Sequence, residues 1–216
     1  MFKYLLFDLD NTLYSCRYGL EENVARRIKK FAAGFLGASE EEIWRERMAL
    51  TGKYGTCLEW LMMEKGFTDV EKYLATVHPE GEVDALLPDP ELRAFLLGIP
   101  VPKAILTNSP HEHTVLVLDK LGLNGIFTHI FDIRQCGFLG KPRREVFDHA
   151  LRIIGTSAAE VLFIDDNPSY VEGFITMEGN GLLLDEKDIH NNCAIPKIRD
   201  IREIKNYIEN GTVKKK

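Results

Sequence analysis

The sequence predicts an α/β protein with a doubly wound, Rossmann-like parallel sheet and a small all-helical cap inserted after the first strand. In the second half of the chain, short and almost continuous apolar runs such as residues 161–164 alternate with segments of helical length. Strands that alternate with helices pair in parallel through right-handed crossovers, and continuous apolar strands are typical of sheets covered on both faces. Residues 19–72, in contrast, show helical spacing without an obvious strand.

The first strand is the apolar run that begins at Tyr4 and ends at two carboxylates, Asp8 and Asp10. Alternate residues of a strand point to the same side, so both carboxylates are delivered to its carboxyl end, where open α/β sheets bind their ligands. Two carboxylates this close repel each other unless a cation or a shared proton relieves them. The pattern therefore predicts a metal site that takes part in chemistry.

The next segment is predicted to form the cap. Apolar residues recur at three- and four-residue spacing through residues 19–72, and the Ser-Glu-Glu-Glu motif at 39–42 is a capping box that starts a new helix. We expect four short helices above the acidic pair, where they can act as a lid. The predicted domains are a helical cap at 17–85 and an α/β core at 1–16 and 86–216.

The remaining elements complete the core. A helix begins at Asp89-Pro90-Glu91, because proline is favoured in a first helical turn, and it ends at Gly98. Further strands are predicted at 102–106, 127–131, 161–164 and 181–184, separated by helices at 111–121, 143–154 and 168–177 and followed by a last helix at 200–209.

Composition narrows the function classes. The 216 residues carry a net charge of −6, which argues against a nucleic-acid polymer as partner, since such surfaces are usually basic. No apolar stretch is long enough to cross a bilayer, no secretory leader precedes the first strand, and the cysteines show no C-x-x-C spacing. We therefore expect a cytoplasmic protein with free thiols that acts on a small substrate, with its oligomeric state open. The terminal Lys214, Lys215 and Lys216 are expected to form a solvated, mobile end.

Four polar clusters occur where strands should end, and in a doubly wound sheet these ends meet at one edge. Taken singly, each cluster could be a helix cap, a turn or a solvated charge. All four together are typical of a phosphate site. The clusters are Asp8 with Asp10, Thr107-Asn108-Ser109, Gly140-Lys141-Pro142, and Asp165-Asp166-Asn167.

The chemistry of this set is that of phosphoryl transfer. Carboxylates from two strand ends suit Mg²⁺, which prefers oxygen ligands, while a hydroxyl, backbone N–H groups and a lysine suit an anion that the metal also touches. One carboxylate can attack phosphorus to form an acyl phosphate, and a second can protonate the departing oxygen and later deprotonate water. The metal and the lysine neutralise the charge on the transferring group.

The order of the motifs, Asp-x-Asp-x-Thr, Thr-Asn, Gly-Lys-Pro and Asp-Asp, resembles the haloacid dehalogenase superfamily of aspartyl-phosphate hydrolases. The resemblance implies that Asp8 is the nucleophile and that Asp10 is the general acid/base, which also binds the metal through its backbone carbonyl. It implies phosphate binding by Thr107, the turn at Asn108 and Lys141, and Mg²⁺ binding by Asp8, Asp10, Asp165 and Asp166.

A narrower similarity rests on Tyr54-Gly55-Thr56, His78, residues 87–93, and Thr107-Asn108 followed by residues 118–123. These motifs resemble the pyrimidine 5′-nucleotidase branch of plants and fungi, and the resemblance implies a pyrimidine nucleoside monophosphate such as UMP or CMP as substrate. The alternative is a broad-range sugar-phosphate or phosphoglycolate phosphatase.

Other classes agree less well with the motifs. Dehalogenases of the same superfamily need no metal and lack an acid at the position of Asp10, whereas alcohol leaving groups require a proton. A phosphoacceptor switch of receiver type carries its acceptor after a later strand and its lysine last, while here an acidic pair follows Lys141. A catalytically idle binding module would be expected to lack one of the four clusters.

The remaining histidines and tryptophans are expected to be structural. His111 and His113 open a helix without a third ligand at metal spacing, so we do not expect a histidine zinc site. His78 is expected in a turn or at the surface. We expect Trp44 and Trp60 to pack between cap helices rather than to form a base-stacking platform.

Overall fold

The structure, a computed structural model, describes residues 1–50 and 52–210 and confirms the doubly wound α/β fold. Within this part of the chain, six parallel strands form one sheet. The strands are β1 (Tyr4–Phe7), β2 (Lys103–Leu106), β3 (His129–Phe131), β4 (Val161–Asp165), β5 (Asn180–Leu184) and β6 (Lys197–Ile198). The helices are α1 (Leu20–Leu36), α2 (Glu40–Ala49), α3 (Cys57–Lys65), α4 (Val70–Val77), α5 (Pro90–Leu97), α6 (His111–Leu121), α7 (Arg144–Ile154), α8 (Pro168–Ile175) and α9 (Ile204–Asn210).

The strand order β3-β2-β1-β4-β5-β6 places β1 at the point where the direction in which successive strands are added reverses. The chain adds β2 and β3 on one side of β1, and β4, β5 and β6 on the other. Phe7 pairs with Ile105 on β2 and with Ile164 on β4, so the residues that follow these three strands meet at one edge. Ligands of doubly wound sheets bind at such a switch point.

Both faces of the sheet are covered, which explains why the strands are continuous apolar runs. All four residues of β1 are buried. Leu5 and Phe7 contribute to the hydrophobic core on one face, while Tyr4 and Leu6 contribute to the core on the other. The central strand is therefore held from both sides, and the residues at its end have a rigid support.

Helices α1–α4 lie between β1 and α5 in the chain and have a hydrophobic core of their own. The predicted capping box begins α2, since Ser39 Oγ accepts from Glu42 N at 3.3 Å and the Glu42 carboxylate accepts from Ser39 N at 3.1 Å. Trp60 is fully buried in this core, which also includes Ile133 from the segment after β3. The domain boundaries at 17–85 stay a prediction.

The structure differs from the predicted elements mainly at their ends. β4 extends to Asp165, because this residue pairs with Leu183 of β5. β6 has no counterpart among the predicted strands, because two residues carry no periodic pattern. The last helix opens with a 3₁₀ turn at Ile201–Glu203. Lys214–Lys216 lie outside the described residues. No helix in the described ranges is long and apolar enough to cross a membrane.

The loop before α3 and the loop that carries Lys141 approach each other closely at two glycines. A Cβ atom on Gly55, in the loop before α3, would lie 2.8 Å from Lys141 O and would overlap the Gly140 carbonyl. A Cβ atom on Gly140 would in turn overlap Thr56 Cγ2. Glycine at both positions lets the loop before α3 lie directly on the loop that carries Lys141.

We expect Gly55→Ala to destabilise the protein by about 1–3 kcal/mol, because the added methyl group meets backbone atoms that cannot rotate away. Gly52→Ala is the matched control, since nothing lies within 4 Å of a Cβ atom at that position. Urea unfolding measures both variants. Equal unfolding midpoints would show that the two loops do not approach each other as described.

Candidate active site

The carboxyl ends of β1 and β4 bring three aspartates together. Asp8 follows β1, Asp165 ends β4, and Asp166 comes next; one carboxylate oxygen from each lies within 4.8 Å of the others. Lys141 Nζ lies 2.6 Å from Asp8 Oδ1 and 2.6 Å from Asp165 Oδ2. The structure thus gathers predicted site residues from three separate segments of the chain.

Helix capping does not explain these polar clusters. The N-cap of α8 is Asn167, whose Oδ1 accepts from Ser169 N at 3.0 Å, and not either aspartate before it. The N-cap of α6 is Pro110, without a side-chain capping bond. Asp165 and Asp166 are therefore not the N-cap of α8, although Asp165 Oδ1 accepts from Asn167 N at 2.8 Å.

The three carboxylates repel one another in a buried environment. Burial raises the pKa of Asp8 and raises that of Asp165 well above its ordinary value, although Lys141 opposes both shifts. Burial and the charges of Asp8 and Glu21 raise the pKa of Asp166 to about 8. Burial would lower the pKa of Lys141, but the charges of Asp165 and Asp8 outweigh it, so the ammonium stays protonated. One lysine thus faces an excess of negative charge.

This excess of carboxylate oxygens fits a divalent cation. Asp8, Asp165 and Asp166 offer only oxygen ligands, which hard cations such as Mg²⁺ prefer. Asn11 lies beside them, where its Nδ2 donates to Asp166 Oδ2 at 3.2 Å. Its buried Oδ1 has no hydrogen-bond partner among residues 1–50 and 52–210. A bound cation would relieve the repulsion between the carboxylates.

Thr107 and Asn108 follow β2 and adjoin the loop of Lys141. Thr107 Oγ1 accepts from Ser109 N at 3.0 Å, which closes a tight turn. Asn108 Oδ1 accepts from Lys141 N at 2.8 Å. Because the Asn108 side chain positions Lys141 in this way, a phosphate contact from Asn108 would come from its backbone N–H.

Asp10 lies in a second set of hydrogen bonds. Its Oδ1 accepts from the Tyr14 hydroxyl at 2.7 Å and lies 2.7 Å from His113 Nε2, while its Oδ2 accepts from the Ser109 hydroxyl at 2.7 Å. His113 Nδ1 lies 2.5 Å from Glu82 Oε1. Although burial acts in the opposite direction, the charge of His113 lowers the pKa of Asp10. Burial would lower the pKa of His113, but the charge of Asp10 outweighs it and raises this pKa to about 10.

His113 and Glu82 are functional candidates that the sequence does not reveal. Together with His78 they place ligand-type atoms within 4.8 Å of one another. Glu82, from the loop before α5, and His78 join His113 in this group, whereas His111 does not belong to it. The expected absence of a histidine zinc site stays a prediction. His78 lies in a bend directly after α4, as expected of a turn residue, but its side chain is largely buried, with Nδ1 2.9 Å from Glu82 Oε1.

A cavity of about 480 Å³ is lined both by the strand-end residues and by the cap helices. From the sheet edge it includes Asp8, Asp10, Thr107, Asn108 and Lys141. From the cap it includes apolar residues, among them Val24, Ile28, Trp44, Leu74 and Val77. Trp44 thus faces a cavity and does not serve only in packing between helices.

Comparisons with known proteins show the family and the fold of the chain. Residues 2–175 match a family model described as haloacid dehalogenase-like hydrolase. Phosphate metabolism protein 8 of Saccharomyces cerevisiae is 28% identical over 189 residues, a match that covers 81% of this chain. The match spans 59% of the yeast protein, so the chain corresponds to only part of that relative's length.

Solved structures with the same fold include enzymes of different reaction types. L-2-haloacid dehalogenase from Xanthobacter autotrophicus has a TM-score of 0.64 at 15% identity, covering 97% of this chain and 99% of that chain. A HAD phosphatase from Thermococcus onnurineus has a TM-score of 0.59 at 20% identity, with the same two coverages of 97% and 99%. The HAD-hydrolase YfnB from Bacillus subtilis, solved with bound magnesium, has a TM-score of 0.59 at 19% identity and covers 96% of this chain and 98% of that chain. At these identities the likeness shows the fold.

We expect Asp166→Asn to stabilise the chelator-treated protein at alkaline pH. The pKa of Asp166 is raised to about 8 by burial and by Asp8, so the folded state binds this proton more tightly than the unfolded state does. Stability is therefore lost as pH rises towards about 8. Removing the charge should add on the order of 2 kcal/mol above that pH and flatten the decline.

Thermal unfolding over a pH series, with and without Mg²⁺, measures this effect. Asp148→Asn, at an exposed position on α7, is the control. We expect Mg²⁺ to raise the Tm of the wild type and to raise that of Asp166→Asn by less. A lower Tm for Asp166→Asn without metal would contradict the repulsion described for this site.

Proposed function

The chain belongs to the haloacid dehalogenase-like hydrolase family, and from this premise we propose that it is a Mg²⁺-dependent phosphomonoester hydrolase that acts through an aspartyl phosphate on Asp8. The observation that supports this most is the position of Lys141, 2.6 Å from both Asp8 and Asp165. Such a centre combines a nucleophile with positive charge for the phosphoryl oxygens, which phosphoryl transfer requires.

Asp8 is the proposed nucleophile. Lys141 binds its Oδ1, and the Thr12 hydroxyl donates to its Oδ2 at 3.2 Å, so the carboxylate is held in one orientation. Attack of a carboxylate oxygen on phosphorus forms the acyl phosphate and breaks the bond to the leaving oxygen; water then attacks the same phosphorus and frees Asp8. Mg²⁺, held by Asp8, Asp165 and Asp166 and by the Asp10 backbone carbonyl, would supply positive charge to the phosphoryl oxygens.

Thr107, the Asn108 backbone and Lys141 are the proposed phosphate ligands. All three residues line the same cavity as Asp8. The tight turn at Thr107 and the hydrogen bond from Lys141 N to Asn108 Oδ1 place the two binding segments side by side.

Asp10 is the proposed general acid/base. Tyr14, Ser109 and His113 contact its two oxygens, and Glu82 holds His113 in turn. At neutral pH the proton of the pair resides on His113, from which it can pass along the 2.7 Å contact to Asp10 and on to the leaving oxygen. In the second step Asp10 accepts a proton from the attacking water.

The proposed substrate class is a pyrimidine nucleoside monophosphate such as UMP or CMP, with a sugar phosphate or phosphoglycolate as the alternative. The cavity of about 480 Å³ is large enough for a nucleotide. The name of the yeast relative places that protein in phosphate metabolism, which is compatible with this proposal. Cys16, Cys57, Cys136 and Cys193 are unpaired, so we also propose a reducing, cytoplasmic location.

The first test is phosphate release from phenyl phosphate, with and without Mg²⁺. We expect Mg²⁺-dependent release by the wild type and a loss of about 10³-fold or more in Asp8→Asn, because the amide is a poor nucleophile. Asp148→Asn again serves as the control. Release that persists in Asp8→Asn would contradict the nucleophile assignment.

Turnover in oxygen-18 water distinguishes this route from carbon–halogen hydrolysis, which the dehalogenase neighbours raise as an alternative. In the phosphatase route water attacks phosphorus, so the label enters phosphate and Asp8 stays unlabelled. In the dehalogenase route water attacks the carboxyl carbon of an ester on the nucleophile, which labels Asp8. Mass spectrometry of phosphate and of the peptide that contains Asp8 decides between them.

We expect Asp10→Asn to lower kcat/KM for glycerol phosphate at least about tenfold more than for p-nitrophenyl phosphate, because only the poor alkoxide leaving group needs a proton. His113→Asn should show the same pattern to a smaller degree. His111→Asn, on the same helix but half exposed, is the matched control. Equal losses for both substrates would argue that Asp10 and His113 do not deliver the proton.

A further inference from the structure

Arg47 on α2 is a buried cation that forms no ion pair with any residue in the ranges 1–50 and 52–210. The residue is only 8% exposed and belongs to the lining of the cavity that contains Asp8 and Lys141. Its Nη2 donates to Tyr54 O at 3.1 Å. Its Nη1 is buried and has no hydrogen-bond partner in the described part of the chain.

Such an arrangement is costly for the protein alone. A guanidinium carries five N–H donors, and a buried donor without a partner loses the hydrogen bonds that water would provide. Two other arginines of this region are paired: Arg27 Nη2 lies 2.6 Å from Glu82 Oε2, and Arg143 is bonded to Glu59. Within residues 1–50 and 52–210, no carboxylate lies at ion-pair distance from Arg47.

The surroundings of Arg47 are those of a ligand pocket. Trp44, on the same helix, and Ile28, on α1, supply apolar walls, and Tyr73 on α4 adds an aromatic ring. Ligand sites are typically apolar cavities in which a few polar groups fix the orientation of the bound molecule. The carboxylate and lysine side chains of the same cavity would hold the phosphate, so the cap side is left for the leaving group.

We propose that Arg47 is a specificity-determining residue whose Nη1 donates a hydrogen bond to an oxygen acceptor on the leaving group. The inference rests on the proposed function, because it takes the phosphate to lie at Asp8. The shared chemistry is an acceptor oxygen remote from phosphorus, which can be a ring carbonyl, as in a pyrimidine, or a carboxylate, as in phosphoglycolate. A leaving group without such an oxygen leaves Nη1 unpaired and loses this interaction.

The test compares kcat/KM for UMP and for 2-phosphoglycolate with that for phenyl phosphate, whose leaving group has no second oxygen. In Arg47→Ala we expect the ratio for at least one acceptor-bearing substrate to fall about 10- to 100-fold, as for loss of a hydrogen bond to a charged group. If the ratio of UMP to phenyl phosphate falls, the acceptor of the Arg47 hydrogen bond is a ring carbonyl. If the ratio of 2-phosphoglycolate to phenyl phosphate falls, the acceptor is a carboxylate. Arg45→Ala, on the same helix but exposed, is the matched control and should keep both ratios.

If Arg47 serves only to hold the loop at Tyr54 through its hydrogen bond to Tyr54 O, a different result is expected. Arg47→Ala would then lower kcat/KM for all three substrates by the same factor and leave both ratios within about twofold of the wild type. That result would overturn the inference. Arg47→Gln, which keeps a donor for Tyr54 O, is judged by the same ratios if Arg47→Ala does not fold.

Failure of the proposed function has a separate signature. If the wild type releases no phosphate from any of the three substrates in Mg²⁺, the hydrolase proposal itself fails. If the wild type hydrolyses phenyl phosphate and the Arg47 ratios do not move, only the role of Arg47 fails.

Discussion

Repulsion between the carboxylates of Asp8, Asp165 and Asp166 is the interaction on which the rest of the site depends. Parallel pairing of β1 with β4 places Asp8 beside Asp165, and burial removes the water that would otherwise screen their charges. Lys141 offsets part of this charge, since it lies 2.6 Å from two of the three aspartates. Proteins seldom bury carboxylates unless they are paired or bind a metal. The sheet therefore creates a site at which a bound cation or a proton would relieve the repulsion between the carboxylates.

The cap contributes to both chemistry and recognition in this account. Arg27 on α1 donates to Glu82 at 2.6 Å, Glu82 contacts His113, and His113 contacts Asp10. This series of contacts joins a cap helix to the residue proposed to protonate the leaving group. Arg47 on α2 adds a donor in the same cavity. A movement of the cap would thus change the surroundings of the leaving group and of its proton donor together.

The parts of the site that the sequence predicted are those that depend on local rules. The meeting of parallel strand ends brings Asp8, Thr107 and Asp165 to the same edge. Lys141 reaches that edge from the loop between β3 and α7. These rules need no knowledge of side-chain packing. The fold class follows from the same periodic patterns, whereas β6 is too short to show one.

The residues that the sequence did not predict depend on tertiary contacts. Glu82, His113 and Asp10 come from three segments with no common spacing, so only the fold shows that they touch. Arg47 lies in a helix whose sequence is mostly charged, and such a helix is expected to be solvated. Its burial follows from the packing of the cap. Asn108, expected at the phosphate, uses its side chain to hold the Lys141 backbone.

The most direct measurement is a crystal structure of the protein grown with Mg²⁺ and beryllofluoride, an analogue of a phosphoryl group bound to a carboxylate. We expect beryllium bonded to a carboxylate oxygen of Asp8, its fluorides near Lys141 and Thr107, and Mg²⁺ in contact with both Asp8 and Asp165. Mg²⁺ bound away from Asp165, or an analogue that leaves Asp8 unmodified, would contradict the account of a single metal-assisted phosphoryl-transfer centre.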